Sequence, residues 1–199
     1  MTALDPIAVF DLMLIPGFLD QATCSRLLNE IRSSAAAPAT VYGRETAGGV
    51  DDRVRKALRH APSIQTEELI RQQLSQLKPQ VENHFKLSLN EIDPAQFLHY
   101  LPGDFFVAHQ DGNTGLIRSD SEARRISVII LLNDQSDEGE QENTYAGGSL
   151  VFHDWKHGQG SAALPQPNAG TFVAFRAETT HEVTPITTGE RFSIACWYR

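Results

Sequence analysis

The segment GTFVAFRAETTHEVTPITTGERFSIACWYR, residues 170–199, decides the fold class of this chain. It holds the apolar runs GTFVAF, HEVTPI and RFSIACWYR, each of strand length, with Thr188-Gly189 as the turn before the last. Runs of this size, rich in β-branched and aromatic residues and bounded by turn residues, read as β-strands. Upstream, AQFLHYL, DFFVAHQD, RISVIILLN and GSLVFHD continue the pattern, spaced by Pro102-Gly103, Gly147-Gly148 and Asn168-Ala169-Gly170. Seven such runs from about residue 92 onward predict an antiparallel sandwich or barrel.

Further out, the N-terminal half is helical in character. Asp20 reads as a helix N-cap, with Cys24, Leu27, Leu28 and Ile31 on one face of the helix it opens. That helix is expected to stop at Pro38. A second helix follows Pro62-Ser63, with Ile70, Leu74, Leu77 and Val81 on one face, and Pro79 is expected to kink or split it. VYGRETAGGVDD reads as a loop, and the basic cluster in DDRVRKALRH as a solvated helix face. The expected organisation is a single domain over 1–199, with residues 1–91 as helical support and 92–199 as the β core.

The chain has 199 residues and carries 41% hydrophobic and 21% charged residues, ordinary for a globular protein. Its net charge of -8 argues against generic binding to nucleic acid or to an anionic membrane. Two distant cysteines, Cys24 and Cys196, point away from a disulfide scaffold and toward a reducing, cytoplasmic setting. No basic leader and no apolar run of ~20 residues is present, so neither secretion nor a membrane span is expected.

The chemistry starts at His109-Gln110-Asp111. On a strand these two side chains, at i and i+2, leave the same face. His181, between two strand-like runs, is the candidate third ligand. Two histidines and one carboxylate on one side of a metal are typical of non-haem iron(II) and leave three positions open. An HxD alone is a weak signal. Specificity comes from Arg191, ten residues after His181, with Ser193 on the same strand face. An arginine fork receives a carboxylate bidentately, with a hydroxyl as an auxiliary donor. An acidic small molecule chelating the metal could therefore have its far carboxylate held by Arg191.

At these residues a family becomes recognisable. The chain resembles the 2-oxoglutarate- and iron(II)-dependent oxygenases, within them the prolyl 4-hydroxylase-like group that includes the oxygen-sensing prolyl hydroxylases. The resemblance rests on Tyr100-x-x-Gly103 before His109-x-Asp111, RRISVIILLN, Gly147-Gly148-x-Leu150-x-Phe152 and Gly170-x-x-x-Ala174-Phe175. It ends in His181-Glu182-Val183-x-Pro185 and Arg191-Phe192-Ser193-Ile194, then Trp197-Tyr198. Weaker similarity reaches PGFLDQATCSRLL and DDRVRK. The resemblance implies a double-stranded β-helix, or jelly-roll, mostly β with supporting N-terminal helices. It implies Fe(II) at His109, Asp111 and His181, O2, and 2-oxoglutarate as co-substrate anchored by Arg191, with Tyr100 and Ser193 assisting. Ascorbate is a further cofactor expectation of the same resemblance. The implied reaction consumes 2-oxoglutarate to succinate and carbon dioxide and hydroxylates an unactivated C–H. Asp111 favours hydroxylation, because halogenating relatives have a small residue there. Relatives acting on collagen-like chains often carry lysine where Arg191 stands.

The substrate stays open between a residue in a peptide or protein and a free amino acid or metabolite. Stereochemistry and oligomeric state are open too. A second reading, from another class, is a non-oxidative metal-binding barrel acting as isomerase or sensor. Among other residues, Trp197 alternates with Ser193 and Arg191 and is a candidate pocket floor. His99 should face away from Tyr100. His153 and His157 could mimic a helical metal pair, but Gly158 argues against a helix there. Arg118, Arg124 and Arg125 are expected in solvent. The stretches 112–124 and 134–146 are candidate loops flanking the site.

Overall fold

A computed structural model describes residues 5–42, 47–112, 123–136, 143–154 and 160–199. The chain opens with α1 (Pro6–Val9), β1 (Met13–Ile15) and α2 (Gln21–Ser33). Asp20 caps α2, its carboxylate accepting from the Thr23 amide at 2.7 Å. Cys24, Leu27, Leu28 and Ile31 are all buried, so the predicted face is the one that packs.

Short strands follow: β2 (Ala35–Pro38), β3 (Val41–Tyr42), β4 (Ala47–Gly49), β5 (Arg55–Lys56) and β6 (Leu58–Ala61). Three expectations change here. The stretch after Ser34 leaves the helix for an edge strand paired with β6, and Pro38 is tolerated because β2 lies at the sheet edge. β3 and β4 pair antiparallel where a plain loop was expected. The basic cluster is extended strand rather than helix, with Arg55 turned inward.

The long helix α3 (Ile64–Phe85) is capped by Ser63 and runs through Pro79 unbroken. Pro79 and Ser75, whose carbonyl it leaves without a helical donor, are both exposed, so water can satisfy the lost bond. Leu74, Leu77, Val81 and Phe85 are buried on either side of the proline. Burying each contributes about 1.5–3 kcal/mol, enough together to outweigh a proline penalty of about 3 kcal/mol.

The β core comprises β7 (Gln96–Tyr100), β8 (Phe105–His109), β9 (Ile126–Leu131), β10 (Asp134–Gln135), β11 (Thr144–Gly147), β12 (Leu150–Asp154) and β13 (Gly160–Ala163). It closes with β14 (Phe172–Arg176), β15 (Thr180–Val183), β16 (Ile186–Gly189) and β17 (Arg191–Tyr198). All seven predicted runs are strands, HEVTPI being divided between β15 and β16. A seven-stranded sheet in the order β1-β14-β9-β17-β7-β6-β2 faces a five-stranded sheet, β13-β12-β15-β8-β5. A three-stranded ribbon, β10-β11-β16, lies beside them. This is a jelly-roll of the double-stranded β-helix type, with helices against one face of the larger sheet.

Central strand β17 explains that arrangement. All eight of its residues are buried. Phe192, Ile194, Cys196 and Tyr198 pack with α2 and α3 residues such as Leu27, Ile31, Leu74 and Val81. Arg191, Ser193, Ala195 and Trp197 face the interior between the sheets, where a cavity opens. A strand covered on both faces reads as a near-continuous apolar run, as RFSIACWY does.

One turn fastens the N-terminal segment to the core. Gly170 has φ +77°, its carbonyl accepts from the Leu19 amide, and a Cβ there would stand 1.9 Å from the Leu19 carbonyl oxygen. The Gly170→Ala variant should lose about 1–3 kcal/mol from backbone strain alone, with further loss from the clash. Urea denaturation at neutral pH measures it, and an unchanged midpoint would contradict this account of the turn.

Candidate active site

The two histidines meet across a strand pair. β8 and β15 run antiparallel with His109 directly opposite His181, and the register slips between His181 and Val183. Asp111 lies just past the end of β8, where the Asp111 and Gly112 amides both donate to the Ala177 carbonyl. The Gln110 side chain donates to the Glu178 carbonyl at 2.7 Å. The turn after β14 thus clamps the HQD segment from outside.

Ring orientation is set by backbone. His109 Nδ1 lies 2.8 Å from the Val107 carbonyl and His181 Nδ1 lies 2.9 Å from the Thr179 carbonyl. A carbonyl can only accept, so each Nδ1 carries the proton and each Nε2 presents a lone pair. His109 Nε2 is 3.4 Å from Asp111 Oδ1, and His181 Nε2 is 3.5 Å from Asp111 Oδ2. The three candidate ligand atoms all lie within 4.8 Å of one another. Three acceptors aimed at one point repel unless a cation lies between them. Ligands about 2.0–2.2 Å from a divalent ion and at right angles stand about 3 Å apart, so this spacing fits a metal with little adjustment.

The surroundings keep the three in ligating form. Burial alone would raise the Asp111 carboxyl, but His181 and His109, which attract it whenever they are protonated, and the Ser127 hydroxyl, which donates at 2.6 Å, outweigh burial and hold the group well below the usual carboxylate range. Burial, reinforced by His109, pushes the His181 imidazole down to about 4 despite Asp111. His181 is 3% exposed and neutral at ordinary pH. Phe106 stacks on His109 with centroids 3.5 Å apart, and Phe175 meets His181 edge-on at 4.6 Å.

Arg191 lies at the other end of the inner face of β17, 1% exposed. Its Nη1 donates to Ser193 Oγ at 2.9 Å, and its guanidinium carbon lies 5.3 Å from the Tyr100 ring and 6.0 Å from the Tyr145 ring. No carboxylate pairs with it among the described residues, and its Nε has no hydrogen-bond partner there. Neighbouring Glu190 turns to the opposite face, toward Arg32 and His99, each at 3.4 Å. A strand-end ion pair with Glu190 is thereby excluded. Gly148 makes room for the arginine stem, since a Cβ there would meet Arg191 Cδ at 3.1 Å and Ile186 Cδ1 at 2.3 Å.

One cavity of about 390 Å³ joins the two ends, lined by His109, Asp111 and His181 as well as by Arg191, Ser193 and Tyr100. All six residues singled out in the sequence therefore converge on it. Trp197 lines it as expected, and His99 packs on the far side against Phe192. Arg124 departs from expectation: it is half-buried over Trp197 and paired with Asp93 at 2.8 Å, because the turn before β9 carries it against the barrel mouth. Arg125 is exposed. His153 contacts Ser161 and Glu182. His157 lies outside the described residues, as do Arg118 and residues 113–122 and 137–142, while the ends of the 134–146 stretch, expected as loop, are strands β10 and β11.

Four contributors escaped the sequence reading. Ser127, the lone polar residue in an apolar strand run, was a readable signal for a partner inside the barrel. Tyr145, two residues before the Gly147-Gly148 turn, carries a buried hydroxyl with no hydrogen-bond partner among the described residues. Burial pushes its phenol up, against the pull of Arg191. Phe106 was one apolar residue among several. Arg55 was hidden by its charged neighbours.

Fold and site together define a jelly-roll whose cavity has three converging candidate metal ligands at one end and a buried guanidinium, without a counter-ion among the described residues, at the other. Residues 95–199, more than half of the chain, match the family described as the 2OG-Fe(II) oxygenase superfamily, and the chain belongs to it. A PKHD-type hydroxylase of Paracoccus denitrificans is 35% identical over 106 residues, covering 52% of this chain and 42% of that protein. One from Shewanella oneidensis is 34% identical over 109 residues with the same coverage. The matched region thus spans less than half the length of these curated relatives. Among solved structures, a Pseudomonas putida prolyl-4-hydroxylase superposes with a TM-score of 0.71 at 22% identity, over 98% of this chain and 95% of that one. A Trichoplax adhaerens prolyl hydroxylase, solved with a hypoxia inducible factor peptide fragment, gives 0.70 at 16%, over 97% and 85%. These likenesses show the double-stranded β-helix fold. Among the described residues, no helix is long and apolar enough to cross a membrane.

The depressed His181 value gives a pH test. Its folded-state value of about 4 lies below an unfolded value of 6.5, so between the two the unfolded chain binds more protons. The stabilisation is therefore full above pH 6.5 and lost as pH falls toward 4. Metal-free protein should lose about 2 kcal/mol between pH 7 and pH 5 from this group. Urea denaturation at the two pH values checks it, and His181→Gln should flatten the dependence.

Proposed function

We propose that this chain is an iron(II)- and 2-oxoglutarate-dependent dioxygenase that hydroxylates an unactivated C–H, acting as one domain on a prolyl-like residue or a free amino acid. The observation that carries the reading is Arg191: a guanidinium 1% exposed, without a counter-ion among the described residues, in the same cavity as three converging metal-ligand atoms. Burying an unpaired charge costs several kcal/mol, and a bound dicarboxylate offsets that cost.

His109, Asp111 and His181 would hold the metal on one side, leaving the cavity-facing positions for co-substrate and oxygen. The metal, when bound, supplies the redox chemistry that activates oxygen and spends 2-oxoglutarate to give succinate and carbon dioxide. Arg191 would fix the distal carboxylate bidentately, with Ser193 orienting the guanidinium. Tyr100 and Tyr145 flank it, and the Tyr145 hydroxyl is free to donate to the same carboxylate. Val107 and Thr179 hold both imidazoles as Nδ1–H tautomers, so ligation needs no proton transfer. Leu98, Ile129 and Val183 line the cavity between its two ends and keep bulk water from the reacting carbon. Peptide recognition is a property of the Trichoplax relative, and its transfer here is part of the proposal. A non-oxidative metal barrel, the competing reading, leaves Arg191 without a purpose.

Under anaerobic conditions, iron(II) with 2-oxoglutarate should raise the melting temperature, and His109→Ala should abolish the metal-dependent part. Arg191→Gln should weaken 2-oxoglutarate binding roughly ten- to a hundredfold, the worth of a charge-assisted bond, while metal binding survives. If the intact chain shows no stabilisation and never releases succinate in air, the oxygenase reading is wrong.

A further inference from the structure

Arg191 is not the only buried cation in the cavity without a counter-ion. Arg55 is 6% exposed and lines the same space. Its basic neighbours are matched, Arg53 with Asp51 and Lys56 with Asp104, each at 3.0 Å. Arg55 has no carboxylate among the described residues. Its Nη atoms reach only neutral acceptors, the Thr40 carbonyl at 3.2 Å and Gln96 Oε1 at 3.4 Å, and its Nε has no partner. Trp197 Nε1 is another buried donor of the cavity lining without a hydrogen-bond partner among the described residues. The remaining cation of the lining, Arg124, is paired with Asp93, a carboxylate it shares with Arg199.

Position separates this point from the co-substrate anchor. Gln96 pairs with Ala195, whereas Tyr100 pairs with Arg191, four residues away along β17. At 3.3–3.4 Å per residue the two registers stand about 13 Å apart, beyond the span of a five-carbon dicarboxylate. Arg55 instead belongs to the metal end. Its strand pairs it with Phe106, its guanidinium carbon lies 4.7 Å from that ring, and the ring stacks on His109. Charge counting agrees. A ferrous ion, Asp111, the 2-oxoglutarate dianion and Arg191 cancel one another, and Arg55 is left over in a mostly apolar cavity.

We propose that Arg55, assisted by Trp197 Nε1, receives a carboxylate of the molecule that is hydroxylated, so that the substrate is an acid whose reacting carbon lies a few bonds from that group. The inference rests on the oxygenase reading above. A free amino acid and an acidic or C-terminal residue of a short peptide offer the same carboxylate, and the free acid suits a guanidinium one aromatic ring from His109.

The test is binding calorimetry on the full chain carrying manganese(II) in place of iron, with 2-oxoglutarate present, so that no turnover is needed. The probes are the twenty common amino acids, their carboxamides, and N-acetyl dipeptides ending in either acid or amide. At least one acid should bind roughly ten- to a hundredfold tighter than its amide. Arg55→Gln should bring that ratio close to one, and Arg55→Lys should keep part of it. Stronger binding by free amino acids than by acetylated dipeptides assigns the carboxylate to a small molecule, and the reverse assigns it to a peptide. The proposal fails if no acid binds, if amides bind as well as acids, or if the ratio survives in Arg55→Gln. A chain that discriminates acid from amide yet shows no response to 2-oxoglutarate overturns the oxygenase reading instead.

Discussion

Everything in this molecule is organised around a strand that has no exposed side. β17 must satisfy a helical layer with Phe192, Ile194, Cys196 and Tyr198 and, in alternate positions, furnish the cavity with Arg191, Ser193, Ala195 and Trp197. Period-two geometry makes the two tasks inseparable, because a one-residue slip would turn Arg191 into the helix interface and Phe192 into the cavity. The apolar half of the strand therefore holds the polar half in register. The helical N-terminal half serves the site in this indirect way, by making that slip prohibitively costly.

A buried guanidinium and a cluster of converging acceptors are each unfavourable alone, and the fold supports both with backbone groups and hydroxyls rather than with opposite charges. The imidazoles lean on the Val107 and Thr179 carbonyls, Asp111 on the Ala177 carbonyl through its amide, and Arg191 on a single serine hydroxyl. None of these partners competes for the ligating atoms. Groups held this way cost the folded state stability, and any ligand of opposite charge that binds only the folded chain offsets that cost. Gly148 belongs to the same design, its missing side chain giving the arginine stem its place beside Tyr145.

Legibility in the sequence followed how local each signal was. β17 and the other apolar runs were readable because strand length and turn residues are local properties, whereas His109, Asp111 and His181 stood out only together with Arg191 and the order of motifs around them. Pro79 does not split α3, because the rule for proline is local while the continuity of the helix is decided by Leu74, Leu77, Val81 and Phe85, buried on either side of it. Ala35–Pro38 has little strand propensity and pairs only because β6 offers an edge. Ser127 and Tyr145 act across the barrel on residues distant in sequence, and only the closed fold brings them there.

Arg55 shows the limit most clearly. In DDRVRKALRH its charge looks like that of its neighbours, and composition alone puts all of them in water. A strand separates them by parity and pairing: Arg53 keeps to Asp51 at the turn and Lys56 reaches Asp104, while Arg55 is drawn over Phe106 into the cavity. The same alternation that sorts β17 into a packing face and a chemical face operates here on a strand of only two residues. A charged residue buried in this way, beside matched neighbours of its own kind, carries more functional information than the cluster it came from.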